Sequence, residues 1–236
     1  MISLPIGLIS FFALLFFAMS SGMMQVYLNV HAIEMVVGGT VALLFLLTPM
    51  NTLKNLWSGL RGLGKPPLGI EGYYDDLLAL AGDRTQPIQS SSALIVQAAA
   101  LWRKGVDPDM FVSLIFQYKH KLENDDLEAI QALRSLSKYP SALGMIGTVT
   151  GLVGLFANLR PDQRDAVGPA LATALTATFY GLTMAHAVVM PLADRMAIQA
   201  LRRRAELNAL LDILVLIGRG EPTALIDAEM RSREAA

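Results

Sequence analysis

Two apolar runs dominate the hydropathy pattern of the chain: YPSALGMIGTVTGLVGLFANL at 139–159 and AVGPALATALTATFYGLTMAHAVVM at 166–190. Neither contains Asp, Glu, Lys or Arg. At about 1.5 Å per residue each can cross a hydrocarbon core of about 30 Å, so both predict transmembrane helices. An earlier run predicts a helix from roughly Leu4 to Ser20, followed by SGMMQVYLNV as a short outer turn. Another predicts a helix from roughly Ile33 to Met50. FFALLFFAM is apolar enough for the core of a signal peptide, but no basic residue precedes it, so an uncleaved first helix is expected.

Between Lys54 and Lys138 the pattern changes to short amphipathic helices. A helix is expected from about Glu71 to Ala81, and Ser90 or Ser91 could cap SSALIVQAAALWRKG. In DPDMFVSLIFQYKHKLE, Asp107 sits where an N-cap belongs and Pro108 at the first helical position. Phe111, Leu114, Ile115, Tyr118 and Leu122 then fall on one face that must pack on something. Asp125 and Glu128 resemble a capping box that starts a helix through Ile130 and Leu133 into the third span. No strand-like alternation occurs, which predicts an all-α polytopic membrane protein. The expected organisation is helices 1 and 2 in 1–50, a cytoplasmic helical domain in 51–138, the paired helices 3 and 4 in 139–193, and a C-terminal helix and solvated tail in 194–236.

Composition agrees with a membrane protein: 53% of residues are hydrophobic and 17% charged, against about 25% charged in soluble domains. The basic residues set the orientation. Segments 51–138 and 194–236 hold 17 of the 19 Lys and Arg, and the 159–168 loop holds only Arg160 and Arg164. Positive residues stay inside, so both termini are expected in the cytoplasm. Arg202, Arg203 and Arg204 are expected to serve orientation and lipid headgroups. Glu34, at the outer edge of the second span, is read as interfacial. A net charge of −1 without aromatic-basic interleaving gives no hint of nucleic acid.

Small residues form stripes on the two long spans: Gly144, Gly147, Gly151 and Gly154 on one, Ala170, Ala174, Ala177 and Gly181 on the other. In lipid such stripes let backbones approach closely. Threonines at 148, 150, 173, 176, 178 and 183 add hydroxyls, which bond back to their own helix when they serve packing alone. No acid-base pair, triad or phosphate loop is present. GLRGLGKPP lacks the spacing of a P-loop, and three scattered histidines and no cysteine make no metal set. An enzyme is not expected, nor a cofactor.

GMIGTVTGLVG followed by ALTATFYGLTMAHAVVMPLADRM resembles the paired third and fourth helices of the MotA/TolQ/ExbB proton-channel superfamily. Two spans before the cytoplasmic segment, the second with VVGGT, are most similar to the flagellar stator A-subunits, because TolQ and ExbB carry one helix there. RKGVDPDMF and the closing Gly220-Glu221-Pro222 also resemble that branch. The resemblance covers most of 6–226. It implies a ring of A-subunits around a dimer of single-span B-subunits whose membrane aspartate cycles with the ion, acting on a flagellar rotor protein in the bacterial inner membrane. The transported species is H+ or Na+. Thr148 and Thr178 match the polar positions near that aspartate, and Ala177 beside Thr178 removes one possible hydroxyl ligand, a lean towards protons. Pro191 matches the proline at the exit of the fourth helix. Pro140 stands one residue before the usual proline position, which here is Ser141, and so moves the expected kink. His186, where the family often has Asn, is a candidate proton relay, about 80° round the helix from Thr178. The charged stretch that meets the rotor in the family is missing or replaced by AGDRTQPIQSS, so Arg84, Arg103, Lys104, Asp107 and Asp109 are rotor-contact candidates on charge alone. Two alternatives stay open: a TolQ/ExbB-like energiser of an envelope system, and a non-conducting membrane scaffold.

Overall fold

A computed structural model of the chain describes residues 3–18, 27–64, 68–83, 88–158 and 167–234. All regular structure among them is helical: α1 (Ser3–Ala18), α2 (Val30–Leu47), α3 (Met50–Gly62), α4 (Tyr74–Gly82), α5 (Ala93–Arg103), α6 (Pro108–Leu136), α7 (Lys138–Asn158), α8 (Val167–Arg219) and α9 (Thr223–Glu234). Val30–Leu47, Pro108–Ala157 and Val167–Arg219 are long and apolar enough to cross a membrane. Ile6–Phe17, within α1, is apolar but shorter. The chain divides into two compact units, 1–64 with 128–197 and 65–127 with 198–236.

In the first unit α7 and the start of α8 form the central pair, α2 packs on both, and α1 lies against α8. Two of these helices widen by a π turn, α2 at Glu34–Gly38 and α8 at Met184–Val189. The turn in α8 has a reason in sequence. Pro191 has no N–H and its ring collides with a carbonyl one turn back, and a wider turn just before it relieves that collision. α8 therefore runs on through Pro191. Pro140 acts similarly on the other helix. Its missing donor faces the Leu136 carbonyl four residues back, and Leu136 is where α6 ends, with Ser137 alone between it and the start of α7. Of the paired glycines in α2, Gly39 makes the contact: a Cβ there would stand 2.9 Å from Leu143 Cδ1.

The second unit has its own apolar core. Leu77 and Leu80 of α4, Leu94, Ile95 and Trp102 of α5, and Phe111 and Ile115 of α6 close on Leu210, Ile213 and Leu214 of α8. The face expected from Phe111 to Leu122 lies in this cluster, with Trp102 stacked on Phe111 at 4.6 Å between ring centroids. Four details differ from expectation. Glu71–Tyr73 is a 3-10 turn leading into α4. Ser92 holds the N-cap position of α5, and its N–H donates to Ser90 Oγ. Asp125 and Glu128 start no helix, because the apolar face of α6 carries on past Leu122 to Ala129, Ile130 and Leu133, and the helix carries on with it. The expected solvated tail is mostly α9, whose Ile226 and Met230 are each 1% exposed in the core.

Candidate functional site

α7 and the start of α8 meet where side chains are nearly absent. A Cβ built on Gly144 would stand 2.7 Å from the Ala177 carbonyl oxygen and 3.0 Å from Thr178 Cα. One on Gly147 would stand 2.7 Å from Ala177 Cβ, and one on Gly151 2.8 Å from Ala174 Cβ. One on Gly181 would press on the Pro140 carbonyl and come within 3.0 Å of Gly144 Cα. The partners climb one helix as they descend the other, so the pair is antiparallel. The small-residue stripes thus serve the close approach of α7 and α8 within the chain. Gly154 lies outside this contact: it is exposed, and an added Cβ meets nothing within 4 Å. Ala170 is half-buried.

Such close approach brings two hydroxyls together across the seam. Thr148 Oγ1 lies 3.1 Å from the Gly144 carbonyl oxygen of its own helix and 3.2 Å from that of Ala174 on the facing one. Thr178 Oγ1 lies 3.3 Å from the Gly144 carbonyl oxygen, and the two hydroxyls hydrogen-bond each other. Both side chains are half-buried. Of the other threonines, Thr150 donates to the Ile146 carbonyl and Thr176 to the Ala172 carbonyl of its own helix. Met35, in the π turn of α2, backs the same seam with its sulfur 3.4 Å from the Cβ position of Gly147. Tyr180 donates from its hydroxyl to the Tyr27 carbonyl just before α2, and the Tyr27 ring meets Phe179 edge-on.

The remaining candidates are placed elsewhere. His186 is exposed on the π turn of α8, and the hydrogen bonds of the threonine pair go to Gly144 and Ala174 instead. Pro191 is exposed and Pro140 buried at the seam. Arg103, Lys104, Asp107 and Asp109 are all exposed around the turn between α5 and α6. That turn uses Gly105 at φ +68°, a left-handed conformation suited to glycine. Asp107 is the N-cap, its Oδ2 accepting from the Asp109 N–H at 3.2 Å. Arg84 falls outside the described residues.

Sequence reasoning missed the ion pairs of the second unit. Glu123, 8% exposed, lies 3.0 Å from Lys119 Nζ and 3.1 Å from Arg204 Nε, and Arg203 Nη1 lies 3.0 Å from Asp126 Oδ1. Arg203 and Arg204 thus pair with carboxylates of α6. Lys119 and Glu123 show the i,i+4 spacing that could have signalled one pair. The arginines pair with residues some 80 positions away, which no local pattern records. Burial first, and then a hydrogen bond with Glu206, pushes the Tyr73 phenol up to about 12. Asp227 of α9 accepts from the Tyr74 hydroxyl and, at 3.1 Å, from Arg231 Nε, and these bonds hold its carboxyl below the usual range.

Chemically, the seam offers neutral hydroxyls and carbonyl dipoles within two helices apolar enough to cross a membrane. These can solvate a cation or bond a carboxyl group, but they cannot carry the charge themselves. No cluster of three or more His, Cys, Asp or Glu suited to a metal occurs among the described residues.

Comparison with known proteins agrees with this arrangement. The sequence model described as the MotA/TolQ/ExbB proton channel family matches residues 86–209. The chemotaxis protein PomA of Vibrio alginolyticus is 24% identical over 96% of this chain and 92% of its own length. Motility protein A of Aquifex aeolicus is 26% identical over 81% of this chain and 80% of its own. Among solved structures, the fold is similar to C. jejuni MotAB at a TM-score of 0.72 and 18% identity, covering 98% of this chain and 95% of that one. It is also similar to the flagellar MotAB stator complex from Bacillus subtilis, at a TM-score of 0.68 and 18% identity over 95% of this chain and 92% of that one. The match takes in more than half of the chain, including the glycine seam and both threonines, and on it the chain belongs to the MotA/TolQ/ExbB proton channel family.

Proposed function

We propose that the chain is the A-subunit of a flagellar stator, which couples inward ion flux to torque on a rotor. The observation that carries this is the hydroxyl pair Thr148–Thr178, held at a glycine seam with no carboxylate of its own. A bare charge in hydrocarbon is costly, so a path of hydroxyls needs an ionisable group from outside the chain. A single-span B-subunit with a membrane aspartate supplies it. Several copies of this chain form a ring around two such helices. Thr148 and Thr178 hydrogen-bond the carboxyl group as it cycles, or solvate the ion, either H+ or Na+.

In this reading α1, α2, α7 and the first part of α8 make four spans in the bacterial inner membrane, with both termini cytoplasmic. Residues 51–138 and 194–236 form the cytoplasmic part, where Arg103, Lys104, Asp107 and Asp109 are candidates to meet the rotor. Pro140 and Pro191 mark the points where helix motion is coupled. The stator branch is preferred to the TolQ/ExbB branch because the likeness to PomA runs over 96% of the chain, too much to leave out either α1 or α2, which lie before the family match begins at residue 86.

The test is Thr178→Val in cells that swim on this stator. Valine keeps the shape and removes the hydroxyl, while Thr148 keeps two carbonyls to bond. The expected outcome is loss of swimming with normal copurification of the one-span partner. Normal swimming speed would refute the ion-path role.

A further inference from the structure

α3 follows Leu47, the end of the apolar helix Val30–Leu47, by three residues. One of its faces is already engaged. Thr52 Oγ1 donates to Glu128 Oε2 at 3.3 Å, Leu56 is 2% exposed, and a Cβ on Gly59 would collide with Met196 Cε at 2.6 Å. The apolar side of this amphipathic helix is therefore not the side it offers to its surroundings.

The opposite face carries Met50, Lys54, Trp57 and Arg61. At 100° per residue these four fall within about 60° of one another. All are exposed, Trp57 by 58%. The Arg61 guanidinium sits 5.0 Å from the Trp57 ring centroid, so the aromatic and cationic groups stand as one unit. Charge along this segment is one-sided: from Met35 to Ile70 the chain has Lys54, Arg61 and Lys65 and no acidic residue. A large exposed indole is out of place on a water-facing helix. It belongs where one side is apolar and the other wet, at the boundary of a bilayer. Lys and Arg at that level are drawn to anionic lipid.

We propose that the Met50–Lys54–Trp57–Arg61 face is a docking surface for anionic phospholipid. Lys54 and Arg61 flank a headgroup phosphate, and the Trp57 ring lies at the boundary between headgroups and acyl chains. Charge complementarity and continuity with the end of a membrane helix commit it to that occupant. The surface rests on the reading of α2 as a membrane span and is independent of ion conduction.

The chain has two tryptophans, and Trp102 is 7% exposed in the core of the second unit, so fluorescence isolates Trp57. The full chain with its copurifying partner is reconstituted into vesicles of fixed phosphatidylcholine to phosphatidylglycerol ratio. Bromine is carried by one lipid or the other, and the signal of W57F is subtracted from that of the unsubstituted protein. The expected result is that brominated phosphatidylglycerol quenches Trp57 roughly threefold or more better, per lipid, than brominated phosphatidylcholine. K54Q/R61Q should bring that ratio to about one while Trp57 stays quenched. Equal quenching by both lipids overturns the charge selection. Absence of quenching by either overturns the surface itself and assigns the face to protein, such as a second copy of the chain. All substituted positions are exposed, so folding is not at stake, and a stator that fails to drive swimming still reports its quenching ratio.

Discussion

At the scale of single residues, the seam between α7 and α8 divides the glycines of the two stripes into two kinds. Gly181→Ala forces a methyl against the Pro140 carbonyl and Gly144 Cα, which are backbone atoms that cannot swing away. Overpacking of this type costs about 1–3 kcal/mol. Gly181→Ala should therefore lower the thermal midpoint of the detergent-purified complex by several degrees, while Gly154→Ala, entering open space, leaves it within error. Equal effects would mean the seam is looser than described. Gly144, Gly147 and Gly151 were legible as a close-contact stripe because helical spacing alone puts them on one face. Gly154 continues the same spacing, and nothing in a one-dimensional pattern says where the facing helix ceases to touch. Thr148 and Thr178 were legible only through family resemblance, since six threonines at similar depth look alike by composition.

Among the elements, α9 shows how a short amphipathic helix escapes notice. TALIDAEMRSRE has two large apolar residues that reach the core, Ile226 and Met230, one turn apart, against a charged background that reads as a tail. Polar contacts add to them: Asp227 takes hydrogen bonds from Tyr74 of α4 and from Arg231. These bonds lower the folded pKa of Asp227. Their contribution is present above the unfolded carboxylate value of about 3.9 and lost as pH falls through the lowered folded value. Tyr74→Phe removes the largest of them, so the Asp227 pKa should rise and α9 should undock at a higher pH on acidification. Amide exchange within 223–234, followed down the acid range, measures this; an unchanged profile would leave Asp227 without a docking role. The π turns of α2 and α8 had no sequence signature beyond Pro191. A five-residue hydrogen-bond step changes which carbonyl is paired, without changing residue type.

For the whole molecule, the natural lack of cysteine makes topology directly measurable. Gln163→Cys, in the loop expected outside, should react with a membrane-impermeant maleimide added to intact spheroplasts. Ser232→Cys, in α9, should react only after permeabilisation. The reverse pattern would invert the orientation drawn from the Lys and Arg distribution. The all-helical class was legible because helical periodicity and long uncharged runs are local properties. The Arg203–Asp126 and Arg204–Glu123 pairs were not, because they arise only once α6 and α8 are side by side. With the small faces of α7 and α8 turned on each other, Met145, Ile146, Val149, Val153 and Phe156 are left facing outward from α7, and Leu171, Leu175 and Leu182 from α8. Groups of this kind hold a neighbour by dispersion alone, without donors or acceptors that must let go before it can move. A surface like that grips whatever lies against it without directional bonds, so a neighbour can slide along it as along a greased sleeve.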